Sequence, residues 1–332
     1  MSVFPVITST LSASALGQFL IKTYRFSEAS TCTLYRTGMN HTYFVTNKNK
    51  KYVFRVYSYQ WRTKNQIKEE LRLLDMLKDN AISISYSIPD CEGKLIQDIE
   101  APEGLRYGVL FSFAEGEKLR FMNEDTCFSI GKLMAKFHNV TTSKSIERMT
   151  YTTETLLDLP FEYANAYFKE TLPEMQFIKA QSEAIKAQFL NINKKNVRSG
   201  IIHLDIWYDN MSVKNSEEMT VFDFDFCGNG SCILDVGYFC KQLFHIEADK
   251  SIYELKKAKF LEGYQSVLKL SEDELQLIPA AGMSVWIFYL GVQSRRFDWS
   301  NIFLTENYLK MYIGKMQSWQ VYSEKKYLVK KK

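Results

Sequence analysis

Three residues within one stretch of the chain carry the side chains that phosphoryl transfer asks for. Asp205, Asn210 and Asp223 lie between residues 200 and 235, in G-I-I-H-L-D-I-W-Y-D-N-M-S-V and then V-F-D-F-D-F-C-G-N-G-S-C-I-L-D. Moving a γ-phosphoryl group demands positioning and charge neutralisation far more than covalent chemistry. Asp205 suits the acceptor hydroxyl, as a base or an orienting acceptor. Asn210, five residues on, offers an amide oxygen, and Asp223 a second carboxylate, the hard oxygen donors that Mg2+ prefers. His203 reads as a hydrogen-bonder that fixes the loop, because Asp205 already fills the role of base.

Two short apolar pieces, Ile201-Ile202 and Val221-Phe222, must deliver these groups. The interval Lys214, Asn215, Ser216, Glu217, Glu218 has the composition of an exposed hairpin connection. The expectation is one hairpin whose two arms bring Asp205, Asn210 and Asp223 together.

Upstream, three β-rich runs between residues 32 and 58 predict an antiparallel meander. The connection at residues 38–42, with Gly38 and Asn40, is either a plain hairpin or a loop that lays backbone N–H groups along phosphates. Alternation places Val53, Arg55 and Tyr57 on one face of the third run, with Phe54 and Val56 on the other. Residues 63–77 predict a helix opened by a Thr63/Gln66 capping box, with Ile67, Leu71, Leu74 and Leu77 as its buried stripe. Glu70 lies beside that stripe, either as solvated surface or as an ionic partner for Arg55.

Strand-like sequence returns at residues 105–114, and from about Asn123 the pattern turns helical. Ile130, Leu133, Met134 and Phe137 form one helical stripe, with Gly131 and Ala135 as a small-residue face for close packing. His138 closes that helix as a structural histidine. Ile185, Phe189 and Ile192 mark another helix, and Ser271 with Glu274 a second capping box. The predicted fold class is α+β with two domains: residues 1–113, an antiparallel β lobe with one main helix, and residues 114–332, a mostly helical lobe.

Bulk properties exclude little but are consistent. A chain of 332 residues with 46% hydrophobic and 24% charged residues is globular, and large enough for two cores. The net charge of +4 is small, and five of the last eight residues are lysine. That tail reads as a solvated terminus rather than a nucleic-acid arm. Six cysteines without a C-x-x-C pair suggest reduced thiols in a cytoplasmic protein. The N-terminus lacks the basic region of a signal peptide. The longest membrane-like run, residues 284–292, is too short to span a bilayer. Neither a membrane nor a nucleic-acid partner is expected.

Several motifs in order resemble one family. His203, Asp205 and Asn210 match the H-x-D-x-x-x-x-N signature of the aminoglycoside phosphotransferase-like kinases, the group that includes choline kinases and type II homoserine kinases and shares the protein-kinase fold. Asp223-Phe224-Asp225 resembles their second signature. L-Y-R-T-G-M-N-H-T-Y-F-V is similar to the family's nucleotide loop, Y-V-F-R-V-Y to its third strand, Q-I-K-E-E-L-R-L-L to its glutamate helix, and S-I-G-K-L-M-A-K-F-H to its G-x-x-x-A-x-x-H helix. The resemblance implies ATP and Mg2+ as cofactors. It places Gly38 and Asn40 in the nucleotide loop, Arg55 on the α/β phosphates and paired with Glu70, and adenine at the backbone of Phe111, Ser112 and Phe113. It puts Asn210 and Asp223 on the metal, with His203, Asp225 and Asp235 supporting the site.

Departures bear on the acceptor. Leu204 replaces the usual glycine after the histidine, and Arg55 the commoner lysine. Trp207 stands where protein kinases place lysine; the fructosamine kinases also have tryptophan there. Candidates for the acceptor site are Trp207, Trp286, Tyr289, Arg295 and Arg296, with Phe297 and Trp299 beyond them. The aromatics suit a sugar or quaternary amine, the arginines a carboxylate, and core aromatics with surface arginines would look the same. Three readings follow: a kinase of a small amino acid, amino alcohol or sugar-like compound; a serine/threonine protein kinase of the stress-response type, which R-V-Y-S-Y-Q-W-R-T-K-N-Q-I-K-E-E resembles; and a nucleotide-binding pseudokinase. The chain is mildly basic, which disfavours polycationic aminoglycosides, and retention of Asp205, Asn210 and Asp223 speaks against a pseudokinase.

Overall fold

A computed structural model describes residues 4–215, 218–296 and 301–329. By internal contact the chain divides into two compact units, Met1–Glu115 and Gly116–Lys332.

The first unit opens with α1 (Ala13–Tyr24), whose N-terminus is capped by the Ser12 side chain. A five-stranded antiparallel sheet follows, from β1 (Thr31–Arg36), β2 (Asn40–Asn47), β3 (Lys50–Tyr57), β4 (Ile96–Ala101) and β5 (Gly104–Ser112), in the order β1-β2-β3-β5-β4. Period-two alternation divides the side chains of β3 between its faces. Phe54 and Val56 join Leu16, Leu20, Tyr24, Tyr43, Val45 and Leu110 in one apolar core. Arg55 and Tyr57 point the other way, to α2 (Lys64–Asp79). The Thr63/Gln66 capping box closes both ways, and Ile67, Leu71, Leu74 and Leu77 are buried. The strand β4 has no counterpart in the sequence reading, because its I-Q-D-I-E-A alternation is broken by charge. It turns into β5 through Gly104 at φ +130, where a Cβ would meet the Tyr59 ring at 2.6 Å.

The second unit is helical around two small ladders. Its α3 (Glu124–Thr141) starts at the Asn123 cap. A π-helical turn (Glu154–Asp158) leads into α4 (Leu159–Asn165), followed by α5 (Pro173–Asn191). Four short strands come next: β6 (Ser199–Ile202), β7 (Met211–Val213), β8 (Met219–Val221) and β9 (Gly228–Ser231). Then follow α6 (Ile233–Ile246), α7 (Lys250–Gln265), α8 (Glu272–Arg295) and α9 (Glu306–Val329). Backbone meets backbone where α3 crosses α7: a Cβ on Gly131 would lie 2.0 Å from the Phe260 carbonyl oxygen, and one on Gly263 1.9 Å from that of Phe128.

The expected single hairpin is replaced by two nested ladders. Ile201 and Ile202 pair with Asn229 and Gly228, while Val221 pairs with Met211. The apolar pieces are therefore not each other's partners; each finds its mate closer to, or further from, the connecting turn. A second difference concerns the run at residues 284–292, which is the middle of the 24-residue α8. By length and composition α8 is able to cross a membrane, yet 78% of its most apolar window is buried in the unit. It is a core helix. None of the six cysteines, all of them described, is in a disulfide.

Candidate active site

Strand β6 carries the chain to His203, where the backbone turns sharply. Leu204 adopts φ 65, a left-handed conformation that costs a leucine roughly 1–2 kcal/mol. The turn is held from below by Asp235, near the start of α6. Its carboxylate accepts the backbone N–H of His203 at 2.9 Å and of Leu204 at 2.6 Å. His138 Nε2 meets the same carboxylate at 3.0 Å, with Tyr264 at 2.8 Å on its other nitrogen. His203 Nδ1 accepts the Asp205 N–H at 3.2 Å, so its Nε2 carries the proton and donates to the Phe222 carbonyl at 3.2 Å. One imidazole thus ties the Asp205 loop to the strand that leads into Asp223.

Asp205 is partly exposed. Its carboxylate accepts the Asn210 amide at 2.6 Å on one oxygen and the Tyr238 hydroxyl on the other. Tyr238 is itself oriented by Gln242 Nε2 at 3.1 Å. Desolvation by the surrounding protein raises the Asp205 carboxyl from 3.8 to about 7. The nearby charge of Asp223 adds to the rise, while Tyr238, Tyr289 and Asn210 oppose it. Burial and the Asp205 charge hold the Tyr238 hydroxyl neutral, well above its usual value.

Asn210 ends a short 3-10 turn (Tyr208–Asn210), and its carbonyl receives the Phe222 N–H at 3.0 Å. Asp223 follows in the left-handed region, φ 63 and ψ 62, with an exposed side chain. Phe224 packs on His203, ring centroids 4.3 Å apart, and Asp225 is buried, its carbonyl taking a bond from Arg148. Tyr151 and Arg148 hold the following segment through the carbonyls of Phe226 and Asp225. The Asn210 nitrogen is spent on Asp205, so its amide oxygen is the atom that could meet a metal. With the exposed Asp223 carboxylate this makes two oxygen donors, the set that suits Mg2+ completing its shell with phosphate and water oxygens. No cluster of three or more His, Cys, Asp or Glu that could hold a metal occurs among the described residues.

In the first unit, Arg55 and Glu70 form a buried ion pair from β3 to α2. Tyr57 donates to the second Glu70 oxygen at 3.0 Å, and the Arg55 guanidinium lies 4.7 Å over Phe111. Gly38 lies in a connection of residues 37–39 only, because Asn40, His41 and Thr42 are already paired with Tyr57, Val56 and Arg55 in the sheet. The anticipated 38–42 loop is shorter by those three residues. The Asn40 side-chain oxygen is buried without a hydrogen-bond partner. Ser112 has its N–H on Tyr86 and its carbonyl on Ser85 Oγ. Its backbone is therefore occupied, and the ring of Phe113 packs on Phe44.

The acceptor candidates scatter. Trp207 is partly exposed and packs edge-on against Tyr208. Tyr289 reaches the neighbourhood of Asp205. Trp286 is buried against His245 and Trp319, so it presents no open ring face. Arg295 is exposed, its guanidinium 5.0 Å over Tyr163, and Arg296 is the buried C-cap of α8. Phe297 and Trp299 lie outside the described residues, as do Ser216, Glu217 and Lys330–Lys332. Tyr238 and Gln242 were not anticipated. Their signal is a polar stripe, Asp235, Tyr238 and Gln242, at helical spacing in an otherwise apolar α6.

Comparison with known proteins agrees with this geometry. Residues 32–270 match the model of the phosphotransferase enzyme family. A homoserine kinase of Agrobacterium fabrum is 29% identical over 245 residues, 71% of this chain and 70% of that protein. Among solved structures, a microcompartment-associated aminopropanol kinase superposes with TM-score 0.76 at 18% identity, over 96% of this chain and 98% of the other. An amicoumacin kinase in complex with AMP-PNP, Ca2+ and Ami does so with TM-score 0.75 at 18% identity, over 93% and 94%. Both share the kinase-like α+β fold. The chain belongs to the phosphotransferase enzyme family, and it is a kinase with an alcohol group as phosphoryl acceptor.

Proposed function

We propose that the chain transfers the γ-phosphate of ATP, with Mg2+, to the hydroxyl of a small molecule of the amino-acid or amino-alcohol kind. The observation that carries this reading is the Asp205 carboxylate, held between Asn210 and Tyr238 and raised to about 7. A base poised near neutral pH is what proton removal from an alcohol requires. Asn210 and Asp223 would hold the metal, which when bound neutralises phosphate charge. Arg55, ordered by Glu70 and Tyr57, would grip phosphate oxygens with its planar fork. Gly38, Asn40 and the Phe111–Phe113 segment would line the nucleotide site. His203, Asp225 and Asp235 would hold the loops in place. The AMP-PNP and Ca2+ in the amicoumacin kinase support a nucleotide with a divalent ion. The names of the homoserine and aminopropanol kinases support the small-acceptor class. The six unbridged cysteines accord with a cytoplasmic enzyme.

The test is ADP release from Mg-ATP across amino acids, amino alcohols, sugars and protein substrates, with Asp205→Asn as control. Saturable turnover of a small hydroxyl compound, lost in the variant, supports the proposal. Turnover confined to protein substrates, or ATP binding without turnover of any acceptor, would overturn it.

A further inference from the structure

Below Asp205, α6 carries a second charged group that the chemistry described so far does not use. Lys241 stands one turn beyond Tyr238 and is only 2% exposed. Its ammonium lies 4.5 Å over the Tyr238 ring and 4.6 Å over that of Trp286. Among the described residues it makes no hydrogen bond and no ion pair. An enclosed ammonium with only ring faces for company is costly unless something supplies an anion. Burial pushes it down to about 7, with the charge of Asp205 opposing the fall and that of Lys315 on α9 adding to it. Burial keeps His245 neutral, and the like charges of Lys241, Lys315 and Lys250 add to the effect. Cations are gathered here, and Asp205, already bonded to Tyr238 and Asn210, is the acid that favours the Lys241 charge.

A second unmet group lies beside them. The Tyr289 hydroxyl is buried close enough to the Asp205 carboxylate to favour its charge, yet no partner lies within full hydrogen-bond geometry. The Tyr238 and Tyr289 rings are 6.0 Å apart, so one tyrosine links the catalytic carboxylate, the orphan hydroxyl and the lone ammonium. Asp205, Gln242 and Tyr289 are partly exposed. A carboxylate is the group that accepts from both a phenol and an ammonium, and as a monoanion it matches a single cation.

We infer that Lys241, with the Tyr289 hydroxyl, recognises a carboxylate on the acceptor, so that the substrate is a small alcohol that is also a carboxylic acid. The inference rests on Asp205 receiving the acceptor hydroxyl, as proposed above. The hydroxyl then meets Asp205 while the carboxylate lies one tyrosine ring away.

The experiment pairs alcohols with and without a carboxylate on the same skeleton, for example L-homoserine with 3-aminopropan-1-ol and L-serine with ethanolamine. ADP release is followed for the wild-type chain, Lys241→Met, Lys241→Arg and Tyr289→Phe, with the melting temperature of each as a folding control. The expected result is that the carboxylate member of a pair has the higher kcat/KM. Lys241→Met should lower that preference on the order of 10- to 100-fold through KM, and Lys241→Arg should restore part of it. A wild-type preference for neutral alcohols, or an equal loss on both members in Lys241→Met, overturns the inference and leaves the kinase reading standing. Absence of turnover on every alcohol removes both.

Discussion

The Asp235 carboxylate holds the backbone N–H of Leu204 at 2.6 Å while Leu204 is in a left-handed conformation at φ 65. A buried acid thereby offsets the strain of the turn that presents Asp205. Removing it leaves His138 and two backbone N–H groups without their acceptor, a loss of about 3 kcal/mol or more. Asp235→Ala should lower the melting temperature and cut kcat about a hundredfold, because the Asp205 loop loses its register. Leu204→Gly has the opposite local effect, relieving roughly 1–2 kcal/mol of strain. Leu204 is, however, fully buried, and losing its side chain costs about 2–5 kcal/mol. The net expectation is a less stable protein, measured by thermal unfolding; a raised midpoint would show that strain dominates.

Asp205 titrates close to pH 7, and its ionised form is the one able to take a proton. The rate at low acceptor concentration should therefore climb through about pH 7 and level off above it. Tyr238 bonds to the ionised form and lowers the carboxyl. Tyr238→Phe should move the rising limb to higher pH. A limb that stays in place in this variant would mean that some other group sets the profile.

The same carboxyl makes a stability prediction of definite sign. Folding raises it from 3.8 to about 7, so between those values the folded chain binds a proton that the unfolded chain has released. Stability then falls as pH rises from about 4 to 7. Asp205→Asn has nothing to ionise. The variant should be inactive yet melt higher than wild type, with a gap that widens from pH 4 to 7 and stays constant above.

Local signals in the sequence were followed closely by the chain. The Thr63/Gln66 and Ser271/Glu274 capping boxes form, and the Gly131 face does pack backbone against backbone. Each rests on residues a few positions apart. What escaped depends on distant pairing. The nesting of β6 with β9 around β7 and β8 is a choice of partners that alternation cannot reveal, since Ile201-Ile202 and Val221-Phe222 look equally fit to pair. Trp286 and Arg296 were read as possible acceptor contacts because residue type does not report burial; both are enclosed. Tyr238 and Lys241 went unread because helix α6 is otherwise so apolar that it resembles plain core.

Arg55 and Glu70 are both buried, so each depends on the other for its charge to be met. Arg55→Met strands the Glu70 carboxylate with Tyr57, which should cost about 3–5 kcal/mol. Arg55→Lys keeps the charge and most of the stability, but a point charge replaces a planar fork. Its signature is a higher KM for ATP with a small change in melting temperature. Equal KM values for wild type and Arg55→Lys would remove Arg55 from the nucleotide site.

Asp223 is exposed, follows Phe222, whose N–H bonds the Asn210 carbonyl, and is close enough to raise Asp205. An exposed carboxylate whose charge reaches a second acid is well placed for a cation. Its removal should therefore act through ligand, not through folding. Asp223→Asn is expected to keep the melting temperature of the protein alone within about 2 °C, as a surface substitution does. The extra stabilisation by ATP in the presence of Mg2+ should shrink, since binding to the folded state stabilises in proportion to the logarithm of affinity. A tenfold weaker Mg-ATP complex corresponds to a loss of about 1.4 kcal/mol, on the order of 2–4 °C at saturating ligand. ATP without metal should shift both proteins alike. If the variant retains the full magnesium-dependent shift, Asp223 is not a ligand, and the exposed carboxylate must serve to tune Asp205 alone.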